Sequence, residues 1–133
     1  IVFIGPCIAK KMEAYKIGKL DYVLTFEELA SLFAAKGIEP SQLENLEVEG
    51  SFDGWNFAQS GGVANAVVNL CKKSLTIEKM DGLSEGNELF KKAKTGKIDL
   101  IEGMACEGGC ICGPGIMVNP LVAKANLKKM GIK

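Results

Sequence analysis

Asp21-Tyr22-Val23-Leu24-Thr25-Phe26-Glu27-Glu28-Leu29 passes from a strand into a helix within nine residues. Asp21 to Leu24 is a short strand. Thr25 is placed to cap the next helix, and Glu28 stands at its third position, which is a capping box. Leu24 and Leu29 occupy the positions of a hydrophobic staple. The helix carries Leu29, Leu32, Phe33 and Lys36 on one side, and Gly37 ends it with a left-handed cap. On its N-terminal side, residues 1–5 read as another strand, stopped by Gly5-Pro6, with a short helix over 9–15. The bare apolar run Ile1-Val2-Phe3-Ile4 is what a buried parallel strand looks like. It opens without a polar lead-in or a methionine, so the chain is expected to be cut from a longer polypeptide.

Downstream, residues 38–54 are polar and read as loop, with a turn of helix after Ser41. Ser60-Gly61-Gly62 opens a helix whose apolar face is Val63, Val67, Leu70 and Cys71, with Cys71 in the core. Residues 75–80 alternate as a half-exposed strand. Ser84 caps a helix with Leu89, Phe90 and Ala93 inward and Gly96 at its end. Residues 98–101 form a strand, and 118–130 a last amphipathic helix. Strands alternating with helices give an α/β fold with a mainly parallel sheet and flanking helices, one domain over 1–133. Ligands of such sheets sit beyond the carboxyl ends of strands. Cys7 follows the first strand and Cys106 the last, and the two meet if those strands are neighbours.

The chain has 133 residues, one domain by length. Sixteen basic and sixteen acidic residues balance, and no dense basic patch exists, so nucleic acid is not an expected partner. No apolar run reaches the ~18 residues of a membrane span, and no signal peptide is visible. A membrane partner is not expected either, and the reading is cytoplasmic. The absence of histidine removes the commonest general base and every His-containing metal site. Of five cysteines, Cys106, Cys110 and Cys112 fall within seven residues. An odd, clustered set reads as thiolate or metal chemistry, not a disulfide framework. The glycines around them let the backbone approach closely and turn amides toward sulfur. An iron–sulfur cluster and a tetrahedral zinc site both suit these thiolates, and buried small residues are the plain alternative.

Two segments go beyond spacing. Pro-Cys-x-x-Lys-x-x-Glu (residues 6–13) and Glu-x-Met-Ala-Cys-x-x-Gly-Cys (residues 102–110) resemble the second and third signature motifs of the iron-only (di-iron) hydrogenase large subunit, in its C-terminal catalytic domain. Residues 21–25 before a Glu-Leu-Ala helix, and Phe57 with Ser60-Gly61-Gly62-Val63, come in the family's order. The resemblance implies one lobe of a hydrogenase catalytic domain. It implies a four-iron (4Fe-4S) cluster joined to a di-iron unit that carries CO and cyanide. Cys7, Cys106 and Cys110 resemble three cubane ligands, with Cys110 bridging to the di-iron unit. Lys10 resembles the lysine that donates to a cyanide ligand, a fit for a compact three-way donor. Met104 and Phe57 resemble the apolar residues packed around the di-iron unit.

The departures also inform. The family's first motif, source of the fourth cubane cysteine and a proton-relay cysteine, is not in these 133 residues. Gly5 stands where Met is usual, Ala58 where Gly is usual, and Cys112-Gly113-Pro114-Gly115 where Gly-Gly-Gly-Gln is common. They suggest a divergent or sensory member. The expected function is part of a protein for reversible hydrogen oxidation and proton reduction, the fragment itself inactive and without its clusters. The alternative is an iron–sulfur binding or assembly protein of the same superfamily. Expected partners are a missing N-terminal lobe and ferredoxin-type electron-transfer domains or proteins. A homodimer is expected through a face bearing Gly5, Phe57, Met104 and Ile111. Cys112 reads as a spare thiol. Ser60-Gly61-Gly62 is either an anion site or a tight packing point. Glu13 and Glu102 are either proton carriers or structural ion-pair and backbone partners.

Overall fold

The computed structural model describes residues 1–46 and 49–130. They form two compact units, Ile1–Glu49 with Gly113–Asn119, and Gly50–Cys112 with Pro120–Lys133.

In the first unit, β1 (Val2–Ile4) and β2 (Tyr22–Leu24) pair in parallel, with Val2 opposite Tyr22 and Ile4 opposite Leu24. α1 (Ala9–Ile17) crosses between them and ends at Gly18, whose N–H still bonds the Ala14 carbonyl and whose positive φ of 64° then turns the chain out of the helix. α2 (Phe26–Ala35) starts with the full capping box. The Glu28 N–H donates to Thr25 Oγ1 at 3.2 Å, and the Thr25 N–H donates to Glu28 Oε2 at 2.8 Å. It ends as a Schellman motif: Gly37 N–H bonds the Ala34 carbonyl and Ile38 N–H the Phe33 carbonyl. A 3-10 turn follows at Pro40–Gln42. Gly115 returns to donate to the Pro6 carbonyl at 2.9 Å. A Cβ there would lie 2.7 Å from the Thr25 side chain, so only glycine packs over that cap.

The second unit contains α3 (Phe52–Asn56), α4 (Gly62–Leu70), β3 (Ile77–Asp81), α5 (Gly86–Ala93), β4 (Leu100–Met104), a 3-10 turn at Cys110–Cys112, and α6 (Pro120–Met130). β3 and β4 pair in parallel, from Ile77 opposite Leu100 to Asp81 opposite Met104, with α5 as the crossover. Its core is Ala64, Ala66, Leu89, Met104 and Ile111.

The α/β class and the parallel pairing match the expectation, as two two-stranded ladders. Within the first unit β1 pairs with β2, and within the second β3 pairs with β4. Several other expectations are corrected. α4 buries Gly62, Ala64 and Ala66, while Leu70 is 84% exposed and Cys71 is exposed. Small side chains win that face because the backbone itself is in contact: a Cβ on Gly62 would strike the Asn56 carbonyl. α3 begins within the last residues of the expected loop and runs past it, capped by Ser51 Oγ, which accepts from the Gly54 N–H at 3.0 Å. α5 is preceded by Glu85, not capped by Ser84, and Phe90 faces solvent. α6 has no buried residue among those described. Of the four residues assigned to a bare association face, Gly5, Met104 and Ile111 are buried and only Phe57 is exposed.

Candidate functional site

β4 is the element from which the cysteine loop grows. Its strand period turns Glu102 and Met104 inward, both buried, and Gly103 outward. The strand runs three residues further than the sequence suggests, so Cys106 stands two residues beyond its end instead of five. Asp99 and Thr76 form the lead-in to the strand. The Thr76 N–H donates to the Asp99 carboxylate at 2.7 Å, and the Asp99 N–H to the Thr76 carbonyl at 2.9 Å.

Beyond β4 the chain turns at Gly108 and Gly109, with φ of 86° and 93°, where a side chain is strained. The Gly109 N–H bonds the Cys106 carbonyl at 3.0 Å, and the Cys112 N–H bonds the Gly109 carbonyl at 3.0 Å. Three further bonds hold this turn. Gly108 N–H donates to Asp81 Oδ1 at 2.7 Å, at the carboxyl end of β3. Ile111 N–H donates to the Ala58 carbonyl at 2.9 Å, and Ser60 N–H to the Gly108 carbonyl at 3.3 Å. A Cβ on Gly109 would lie 2.7 Å from the Ala58 carbonyl oxygen, so the two backbones touch directly.

The Ser60-Gly61-Gly62 helix start does hold an anion, and it is the chain's own Glu102. Its carboxylate accepts from the N–H groups of Gly61, Val63 (2.9 Å) and Ala64 (3.3 Å). These are orphan donors of a first helical turn, where negative charge is stabilised.

Cys106 is half-buried, Cys110 exposed, and Cys112 half-buried with its sulfur packed beside Gly108; none of the five cysteines is in a disulfide. Met104 is buried in this unit, and Phe57 is half-exposed just after α3. In the first unit, Cys7 follows β1 and is half-buried. Lys10 lies on the first turn of α1, with its ammonium 2.6 Å from the Glu13 carboxylate and 6.0 Å from the Phe3 ring centre. Glu13 thus stands in a surface ion pair. Among the described residues, no three Cys, Asp or Glu side chains gather into a metal-binding group. Sequence reasoning missed Asp81, whose role depends on β3 ending beside the glycine turn; its position at a strand's carboxyl end was the available signal.

Residues 1–114 match the family model described as the iron-only hydrogenase large subunit, C-terminal domain. The chain is 30% identical to the periplasmic [Fe] hydrogenase large subunit of Nitratidesulfovibrio vulgaris, over 93% of this chain and 40% of that protein. It is 28% identical to iron hydrogenase 1 of Clostridium pasteurianum, over 99% of this chain and 30% of that protein. The chain therefore spans less than half the length of these relatives. In fold it resembles a solved [FeFe]-hydrogenase that revealed stepwise H-cluster assembly, with TM-score 0.67 and 22% identity, over 95% of this chain and 52% of that one. A second, from work on oxygen inactivation through the 2Fe subcluster, has TM-score 0.68 and 21% identity, over 95% and 51%. By the match that runs through both cysteine segments, the chain belongs to the iron-only hydrogenase large-subunit family, within its C-terminal domain.

Proposed function

We propose that this chain is the part of a hydrogenase-type catalytic domain that holds an iron–sulfur and di-iron cluster through Cys7, Cys106 and Cys110. The observation that carries the reading is that the family match over residues 1–114 takes in all three cysteines together with Lys10, Phe57 and Met104. The donor set suits the group. Thiolates are the ligands of iron–sulfur clusters, and Cys106 and Cys110 sit on one glycine turn with no disulfide locking either. When bound, the cluster would supply the iron redox chemistry through which protons, electrons and hydrogen interconvert. The protein's own tasks are to hold and shield it. Cys7, Cys106 and Cys110 ligate. Lys10, now paired with Glu13 at 2.6 Å, would donate a charge-assisted hydrogen bond to an anionic ligand of the group. Met104 and Phe57 keep water away.

A second reading, cluster binding without hydrogen turnover, has support of its own. Lys10 is engaged by Glu13 at 2.6 Å, and Gly5 and Ala58 depart from the family pattern. Anaerobic reconstitution with ferrous iron and sulfide tests the shared part. Uptake of both, lowered in C7A, C106A and C110A but unchanged in C71A, is expected. A chain that takes up neither, or loses as much through C71A, overturns the proposal. After maturation, infrared bands of CO and cyanide that shift in K10M favour the hydrogenase reading, and their absence favours the second.

A further inference from the structure

We propose that Glu102 is a positioning residue, a fixed anionic clamp that sets the Cys106–Cys110 loop against the 58–64 turn. Resting partly on the cluster reading above, the inference adds a residue outside the proposed cysteine ligand set.

Three observations converge. Glu102 is buried at 7% exposure, yet its carboxylate is fully engaged by the amides of Gly61, Val63 and Ala64. A buried carboxylate survives only where donors replace its water, and a helix N-terminus supplies donors and a favourable dipole. The same turn is bonded to the cysteine loop at two further points, Ala58 to Ile111 and Ser60 to Gly108. Glu102 lies four residues before Cys106, joined to it by the end of a strand whose register with β3 is fixed at every residue. The strand, the clamp and the two backbone bonds close a ring around the first cysteine of the loop. Removing the carboxylate would leave three amides at the α4 start without their acceptor and release the 58–64 turn, on which the loop rests.

This separates Glu102 from a proton carrier. A carrier must exchange partners, whereas among the described residues Glu102 accepts from backbone amides, which hold no transferable proton.

The test uses the iron-free chain first. Timed alkylation with iodoacetamide, read by mass spectrometry, compares Cys106 with Cys7. In Glu102→Ala, Cys106 should react at least tenfold faster, with Cys7 unchanged. Glu102→Gln keeps one acceptor oxygen and should restore part of the protection. In the iron-loaded chain, Glu102→Ala should shift the reduction potential of the cluster, and Cys71→Ala should not. Wild-type protection of Cys106 in Glu102→Ala, as a proton carrier predicts, overturns the clamp. Equal acceleration of Cys7 and Cys106 overturns it as well, because the effect is then global. If circular dichroism shows that Glu102→Ala does not fold, Glu102→Gln decides by the same comparison: accelerated Cys106 alone supports the clamp, and unchanged Cys106 rejects it. A wild-type chain that takes up no iron defeats the cluster reading, while the alkylation result still judges Glu102.

Discussion

Lys11, Thr25 and Glu28 form a small charged cap that shows how much a few side chains can decide. The Lys11 ammonium pairs with Glu28, and the Thr25 N–H bonds the same carboxylate. Together they hold the Glu28 carboxyl below its ordinary value of 4.5, with Lys11 as the larger cause. The group is ionised in folded and unfolded chains alike well above that value, so its stabilising effect is fully present there. It is lost as pH falls through the lowered folded pKa. A carboxyl-detected NMR titration should therefore show Glu28 titrating below the usual carboxylate range, and K11M should move it back up. Thr25 itself accepts from the Glu28 N–H and is buried, so T25A should lower stability by about 1 kcal/mol in urea unfolding.

At the scale of elements, the fold is made where backbones touch. Gly62 meets the Asn56 carbonyl and Gly109 meets Ala58 and Ser60, so neither position has room for a methyl group. Gly109 also has a φ of 93°. G109A combines steric clash with left-handed strain and should cost about 3 kcal/mol or more. G96A is the control: its φ is 72°, but nothing lies within 4 Å of the added carbon, and it should cost only ~1 kcal/mol. Equal costs in chemical denaturation would mean that backbone contact does not support the cysteine turn. Met104, buried on β4 next to that turn, should show the usual penalty of a truncated core residue, ~2–5 kcal/mol for M104A.

For the whole molecule, the notable quantity is how little is buried. The second unit's core rests on two alanines, Leu89, Met104 and Ile111, while Ile1, Tyr15, Leu46, Leu70, Leu83 and Leu121 are each more than 70% exposed. Large apolar side chains left in water are stabilised when a second surface covers them. The chain alone should therefore self-associate at micromolar concentration in sedimentation velocity, and Leu70→Lys with Leu121→Lys should weaken it. A monomer at all concentrations would count against it. No described helix is long and apolar enough to cross a membrane.

Local chemistry was legible without the structure. The capping box at Thr25, the left-handed end at Gly37, the parallel α/β class and the cysteine segments all follow from residues a few positions apart, since short-range hydrogen bonding and steric freedom depend on near neighbours. What faces what was not legible. The apolar pattern of α4 put Val63, Val67, Leu70 and Cys71 inside, yet the fold buries Ala64 and Ala66, because close backbone approach favours small side chains over large ones. Strand β4 ran on to Met104 because pairing with β3 extends the ladder beyond the residues whose own pattern announces it. The partner of the α4 start was likewise decided in three dimensions: Glu102 lies 38 to 41 residues away from the amides it accepts from, a distance that only the packing of β4 against α4 closes.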